Sequence, residues 1–257
     1  MLARLDIKLD TNGERIRTGQ AGLFHGWLQA QLSAETAEYL HGSRMHPYSQ
    51  HLFFDGENWV WRIQTLNAKA REEIILFLQE KAPAEIFLTH SQDSYKILGM
   101  SRTEMPYGKL FEKNYLDAAN GGTITFNIRT PMAFKSGGRY VRFPEPHYVF
   151  GSLLSRFDKY AGTMILDDPK VMEQVDTQIN VGNYRISSSA FPLEGVRIPA
   201  FRGEITFCPK GGRQFSSMLR MLVDFAEYAG IGIKTSMGMG AVTQTEERGY
   251  SGDGSKN

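Results

Sequence analysis

The chain has 257 residues, of which 41% are hydrophobic and 22% are charged, and this composition predicts a folded protein with one large domain or two small ones. Its formal net charge of +1 excludes a chain that is basic throughout, so a nucleic-acid site would be a local basic patch. The single cysteine excludes an internal disulfide and fits a cytoplasmic protein. Because the sequence has no N-terminal signal segment and no apolar run of about 18 residues, we expect no membrane partner.

The first half of the chain carries strand and helix signals in the order β-α-β-β-α-β. Alternation of apolar and polar residues predicts the strands, and a helical period of apolar residues predicts the helices. Ser33 is a candidate N-cap, Gly42 stands where a helix C-cap glycine belongs, and Asp55-Gly56 is typical of a hairpin turn. The predicted segments are a strand at 2–9, two helices within 21–41, strands at 51–54 and 59–65, a helix at 68–81 and a strand at 85–98.

The second half repeats this order, which predicts an α+β protein with two tandem ferredoxin-like (RRM-like) βαββαβ domains. The expected domains are residues 1–120 and 121–245, and the polar, glycine-rich tail at 246–257 is expected to be disordered. This topology serves many functions, so it does not by itself assign one. The predicted segments are a strand at 122–134, a helix at 147–160, strands at 178–191 and 196–207, a helix at 214–229 and a strand at 239–245.

The most specific motif is a glycine-rich loop between the last predicted helix and the last predicted strand. Glycines let backbone N–H groups approach phosphates closely, and the loop adds a lysine charge and two hydroxyl donors. A dinucleotide fingerprint is excluded because a helix precedes the glycines, and a P-loop is excluded because Ile233 precedes the lysine. A phosphate-binding loop and a simple turn without a ligand remain as alternatives. The loop's candidate RNA-binding residues are Gly230, Gly232, Lys234, Thr235, Ser236, Gly238 and Gly240.

The loop, placed in this topology, resembles the signature of the RAMP superfamily of CRISPR proteins. Three further stretches are similar to the superfamily members that cleave repeat RNA: Tyr39-Leu40-His41, residues 130–135 and residues 147–154. The resemblance implies a metal-independent endoribonuclease without a cofactor that binds CRISPR repeat RNA and cuts precursor crRNA into guide units. In this family a ribose 2′-OH attacks the adjacent phosphate, which leaves 2′,3′-cyclic phosphate and 5′-OH ends.

The resemblance is also compatible with a homodimer and with other CRISPR effector subunits as partners. Two alternatives remain open at this stage. One is a non-catalytic RAMP subunit that binds guide RNA in a CRISPR effector complex. The other is an unrelated ferredoxin-like enzyme that uses the glycine loop for a small phosphate ligand.

The resemblance places the catalytic histidine at His41, after Tyr39-Leu40. The partial negative charge at a helix C-terminus favours imidazolium, which suits a general acid; the alternative is a capping histidine without a catalytic role. Arg44 matches a cation of other family members, and His46 is a second candidate acid or base. Gln29 stands where some relatives have tyrosine, and His25, one helical turn earlier on the same face, is a candidate substitute.

Basic residues interleaved with aromatic ones predict a further RNA-binding surface around Gly137-Gly138. The alternative is an ordinary hairpin tip with solvated charges. Its candidate residues are Arg129, Lys135, Arg139 and Arg142, with Tyr140 and Phe143 between them. The recurrence of His41, His46 and His51 at every fifth position suits no single helix or strand face, so no metal site is predicted.

Overall fold

The first half of the chain forms a five-stranded antiparallel sheet in the computed structural model, which describes residues 1–43, 45–115, 122–162, 165–193 and 195–244, with His41 described by its backbone only. The strand order is β2-β3-β1-β5-β4. The strands are β1 (Leu2–Asp10), β2 (Tyr48–Phe54), β3 (Trp59–Thr65), β4 (Glu85–Leu88) and β5 (Asp93–Met105). In β1, Leu5, Ile7 and Leu9 are buried and Lys8 is exposed, which is the predicted alternation.

Two helical regions connect these strands and complete a ferredoxin-like unit, which we call the first domain. The Ser33 Oγ accepts a hydrogen bond from the Thr36 N–H at 3.1 Å, so the predicted N-cap is confirmed. Gly42 follows the helix as its C-cap, but its φ of −64° is right-handed, so the backbone there does not require glycine. The helices are α1 (Ala21–Gln31), α2 (Ala34–His41), and α3 (Ala68–Ala70) and α4 (Phe77–Lys81), which flank a π-helical stretch, Arg71–Leu76.

The second half of the chain forms a four-stranded antiparallel sheet in the order β11-β6-β10-β9, which is the ferredoxin-like order and defines the second domain. A small hairpin, β7–β8, leaves this sheet after β6. The strands are β6 (Ile124–Met132), β7 (Phe134–Ser136), β8 (Arg139–Val141), β9 (Ile179–Leu193), β10 (Val196–Pro209) and β11 (Val242–Gln244). The helices are α5 (Tyr107–Tyr115), α6 (Pro146–Ala161), α7 (Pro169–Gln178) and α8 (Arg213–Ala229).

The structure differs from the sequence prediction in a few elements. The strand predicted at 85–98 is a hairpin of β4 and β5, which turns at Gln92 with a φ of 59°. Helices α5 and α7 were not predicted, and β11 begins at Val242 because the glycine loop extends to Gly240 and Ala241. The predicted domain boundary at residues 120 and 121 and the predicted tail at 246–257 lie outside the described residues.

Helix α5 lies before the predicted boundary but packs against the second domain. Its Leu110 belongs to the buried cluster formed by β6, α6 and α8. The Asn114 side chain donates to Asp224 of α8 at 2.9 Å, and Lys113 forms an ion pair with the same carboxylate. None of the helices in the described part of the chain is long and apolar enough to cross a membrane.

Candidate active site

A buried chain of hydrogen bonds joins α1 to β2. The Tyr48 hydroxyl lies 2.8 Å from Nδ1 of His25 and accepts a hydrogen bond from Nε2 of Gln29 at 3.0 Å. Because Gln29 donates to the hydroxyl oxygen, the Tyr48 proton is free to point at Nδ1 of His25, which favours the neutral tautomer of His25 with its proton on Nε2. Burial raises the pKa of Tyr48 well above its usual value, so the phenol remains protonated.

His46 contacts the same tyrosine from another side. Its ring lies 5.9 Å from the Tyr48 ring at an interplanar angle of 69°, whereas the His25 ring lies parallel to the Tyr48 ring at 6.1 Å. The structure therefore brings His25 and His46 to one aromatic residue. Helix α2 ends at His41, whose side chain lies outside the described part of the chain, as does Arg44.

A cleft of about 760 Å³ lies between the two domains and contains residues from both predicted sites. His46 reaches it from the first domain, and Lys135 and Lys234 reach it from the second. His147 and Ser152 of α6 also line it. An acid or base and two cations, which the sequence analysis assigned to separate motifs, thus face one space large enough for a nucleotide segment.

The glycine loop uses most of its N–H groups inside the protein. Gly240 donates to the Pro131 carbonyl at 2.9 Å, Ile233 donates to Ala133 at 3.0 Å, and Gly232 donates to the Ser152 hydroxyl at 3.2 Å. These three N–H groups therefore serve the fold, and the expected phosphate contact through the backbone of the loop stays a prediction. The glycines also permit close packing of the loop against β6, α1 and α6.

The side chains of the loop differ in accessibility. Thr235 and Ser236 are each only 2% exposed, so their hydroxyls are largely withdrawn from solvent. Among residues 230–240, all of which the structure describes, Lys234 alone is exposed. Its backbone is left-handed, with a φ of 56°. Lys234 therefore offers the cleft a charged and exposed side chain of the loop.

The predicted basic hairpin is formed by β7 and β8. Gly137 and Gly138 make its turn with φ values of 54° and 79°, and Lys135 pairs with Tyr140 across the strands. Arg139 and Arg142 are exposed beside Tyr140. Tyr184 of β9, which was not predicted to belong to this surface, is 56% exposed and meets Phe143 edge to face at 5.6 Å. No local signal marked Tyr184, because strand pairing alone brings it to this surface.

Arg129 lies apart from this hairpin, in β6. Together with Arg4 and Arg62 it acts on His51, although burial is the largest cause that lowers the pKa of His51 to about 3. His51 is therefore neutral at physiological pH and is a poor general acid. No group of three or more His, Cys, Asp or Glu side chains suited to a metal ion occurs among the described residues.

Two ferredoxin-like domains, a glycine loop after α8 and histidines beside a cleft with two lysines are the features expected of an RNA-processing protein. Residues 126–242 match the family model of the CRISPR-associated endoribonuclease Cas6. The chain is 30% identical over 229 residues to such an endoribonuclease of Streptococcus thermophilus, which covers 88% of this chain and 90% of the relative. It is 32% identical over 251 residues to that of Mycobacterium tuberculosis, with 94% and 77% covered.

A solved Cas6 product complex has the same fold. Its TM-score is 0.80 at 23% sequence identity, and the match covers 95% of this chain and 100% of that chain. Because the identity to the curated relatives reaches 30% over most of this chain, the chain belongs to the Cas6 family of CRISPR-associated endoribonucleases.

Proposed function

We propose that this protein binds CRISPR repeat RNA in the cleft between its domains and cuts precursor crRNA into guide units without a metal ion. The observation that carries the proposal is the single cleft that contains His46 of the first domain together with Lys135 and Lys234 of the second. Histidine suits proton transfer near neutral pH, and two lysines suit the charge of a phosphate. Solved Cas6 proteins of similar fold in complex with a product and with a substrate mimic support the RNA as the ligand.

In the proposed reaction the 2′-oxygen forms a bond to the adjacent phosphorus while the bond from phosphorus to the 5′-oxygen breaks. A base takes the 2′-hydroxyl proton and an acid gives a proton to the departing 5′-oxygen, so the products are a 2′,3′-cyclic phosphate and a 5′-OH. We assign the acid to His41 at the C-terminal end of α2, and we keep His46 and His25 as candidates for the base. Arg44, Lys135 and Lys234 are proposed to stabilise the charge on the phosphorus centre.

The tautomer of His25 bears on the choice of base. Nδ1 of His25 faces the Tyr48 hydroxyl, and its Nε2 carries the proton in the favoured neutral form. In that form His25 can donate a hydrogen bond but offers no basic nitrogen to the RNA. His46, which lines the cleft, is therefore the better candidate for the base.

The RNA is proposed to extend from this cleft over the β7–β8 hairpin, where Arg139 and Arg142 offer charge and Tyr140 offers an exposed ring. Arg129 would contact a more distant part of the RNA. A cytoplasmic location, a homodimer and association with other CRISPR effector subunits remain further parts of the proposal.

Cleavage of end-labelled repeat RNA in excess EDTA tests the reaction type. We expect full cleavage in EDTA and none when the 2′-OH upstream of the cut phosphate is replaced by hydrogen, because that oxygen is the nucleophile. The control RNA carries the same replacement at a distant nucleotide and should be cut normally. Loss of activity in EDTA that a divalent ion restores would contradict the mechanism, and tight binding without any cleavage would favour the non-catalytic guide-binding alternative.

A further inference from the structure

Three residues on one face of helix α6 contact the loop that joins α2 to β2. Arg156, Lys159 and Tyr160 stand at positions i, i+3 and i+4, so their side chains leave the helix in the same direction. The helix belongs to the second domain, whereas the α2–β2 loop belongs to the first and contains His46. The second domain thus supplies side-chain contacts to the segment that carries candidate catalytic groups.

The contacts are directed at backbone oxygens and one hydroxyl of the loop. Lys159 Nζ donates to Ser43 Oγ at 2.6 Å and to the Met45 carbonyl at 3.3 Å. The Tyr160 hydroxyl donates to the same Met45 carbonyl and lies 3.2 Å from Ser43 Oγ. These donors fix the Ser43 hydroxyl and the Met45 carbonyl, which belong to the described part of the loop between α2 and β2.

Arg156 extends this arrangement toward His46. It is 6% exposed, donates through Nη2 to the His46 carbonyl at 3.4 Å, and donates through Nη1 to the Ala229 carbonyl at the end of α8. No ion pair with a carboxylate joins it among the described residues. A buried guanidinium is costly unless its donors are satisfied, so the two carbonyls fix its place firmly. Burial lowers the pKa of Arg156 to about 10, and the group remains charged at neutral pH.

We infer that Arg156, Lys159 and Tyr160 are positioning residues for RNA cleavage. They set the place of the α2–β2 loop, and hence of His46, relative to Lys135 and Lys234 across the cleft. This inference rests on the proposed function. Arg156 also lines the cleft, but two of its N–H groups and the Tyr160 hydroxyl already donate to carbonyl groups of the protein, which favours positioning over direct RNA binding.

The expected loss of rate follows from the placement of the reacting groups. A misplacement of about 1 Å at a reacting group can slow a reaction by about 10²-fold, whereas affinity set by other phosphate contacts changes little. Tyr160→Phe removes only the hydroxyl and keeps the ring, and the pair Lys159→Met with Tyr160→Phe removes every donor to the Met45 carbonyl that helix α6 supplies. We expect the rate to fall by roughly 3–10-fold in the single variant and by roughly 10–100-fold in the pair.

The experiment measures the single-turnover cleavage rate at saturating protein and, separately, the Kd for repeat RNA with a 2′-deoxy substitution at the cut site. We expect Kd to change by less than about two-fold in Tyr160→Phe, since no charge is lost. Lys159→Arg should retain most of the rate, because guanidinium can donate to the same oxygens. The matched control is Tyr115→Phe in α5. The Tyr115 ring stacks on Phe111, which is also in α5, and the variant likewise removes only a tyrosine hydroxyl.

Each result decides a separate point. If wild-type protein cuts the RNA and the double variant cuts at the same rate, the positioning role is wrong while the proposed function stands. If the loss of rate is matched by an equal loss of affinity, these residues bind RNA and the inference is again wrong. If wild-type protein binds the RNA without cutting it, the proposed function itself fails.

Discussion

At the scale of single residues, His41 is the histidine whose replacement should cost the most activity. Helix α2 ends at His41, where the helix dipole favours a protonated imidazole. General acid catalysis contributes about 10²–10⁴ in rate, so His41→Ala should slow single-turnover cleavage by about that factor while the Kd for non-cleavable RNA changes little. His90→Ala, at an exposed turn position, is the matched control and should cut at the wild-type rate.

A wild-type rate in His41→Ala would show that the acid was chosen wrongly and would move the test to His46 and then to His25. Those two histidines differ in setting, since His46 lines the cleft and His25 is 8% exposed behind Tyr48. A loss of RNA affinity in parallel with the rate would also contradict the assignment, because an acid acts on the reaction and not on the complex.

The role of a residue could be predicted where it depends on its neighbours in the sequence. It could not be predicted where it depends on contacts with distant residues. Ser33 was predicted as an N-cap from its position alone, and the structure confirms it. The link between His25 and Tyr48 joins residues 23 positions apart, and no periodicity in the sequence indicates it. Likewise, Arg156 looks like an ordinary helix residue in the sequence, although it is buried against the other domain's loop.

At the scale of elements, the glycine loop has a packing role in addition to the RNA-binding role predicted from its composition. Gly238 has a φ of 105°, and a Cβ built there would overlap the Cβ of Ala21 in α1. Gly232 and Gly240 would overlap backbone oxygens in the same way. Of these three glycines, only Gly238 meets the first domain, whereas Gly232 packs against Ala133 of the second domain and Gly240 against Ile231 within the loop. The loop also presents Lys234 to the cleft.

This arrangement predicts distinct effects for two substitutions in the loop. Lys234→Ala should weaken binding of non-cleavable RNA and lower the slope of log K against log salt by about 0.7–0.9, because one phosphate contact is lost.

Gly238→Val should lower both the stability of the protein and its affinity for RNA. The strained φ and the overlap with Ala21 should lower the free energy of unfolding by roughly 1–3 kcal/mol. RNA titrations across a salt series and thermal unfolding of both variants provide the measurements.

Gly26→Ala is the matched control for the glycine substitution. Gly26 lies within α1, a Cβ there meets no atom within 4 Å, and alanine favours a helix over glycine by about 1 kcal/mol. The melting temperature of Gly26→Ala should therefore equal or exceed that of the wild-type protein.

Unchanged RNA affinity of Lys234→Ala at every salt concentration would show that the loop is a structural turn without an RNA contact.

Elements that bury a full apolar face were predicted from the sequence, whereas α5 and α7, which bury few side chains, were missed. Helix α8, with its strong apolar face, and the β2–β3 hairpin with its Asp-Gly turn match the predicted segments closely. Helix α5 has only nine residues and buries little besides Leu110 and Asn114, so its pattern is short and weak. The β7–β8 hairpin was expected only through its turn at Gly137-Gly138, because three residues per strand are too few for an alternation to be recognised.

At the scale of the whole molecule, the domain order was predictable because the βαββαβ pattern repeats, but the interface between the domains was not. Polar side chains of β2 and β3 fill part of that interface. Ser49 Oγ donates to the Tyr228 carbonyl at 2.6 Å, and Gln64 donates to the Glu227 carbonyl. Buried polar residues in a strand give no signal of their partners until the other domain is in place.

Gln50 connects three parts of the molecule, and this makes it the best test of how the domains depend on each other. Its Nε2 donates to the Ala21 carbonyl at 2.8 Å and to the Ser236 carbonyl at 3.1 Å, and its Oε1 accepts from Trp61 Nε1 at 2.8 Å. Gln50→Ala leaves these buried groups without a partner, which should lower the free energy of unfolding by about 2–5 kcal/mol. Gln174→Ala, at an exposed position in α7, should change it by less than about 0.5 kcal/mol.

The two domains can be followed separately in the same denaturant titration. All three tryptophans lie in first-domain elements, so their fluorescence reports the unfolding of that domain. The single cysteine, Cys208, is half-buried in β10, so the labelling of its thiol reports the unfolding of the second domain. Because the interface combines buried, paired polar groups with apolar contacts of Leu2 and Leu66, we expect both signals to change at one midpoint, and Gln50→Ala to shift both together. If only the fluorescence midpoint moved, the domains would unfold independently, and the placement of the α2–β2 loop by helix α6 would lose its structural basis.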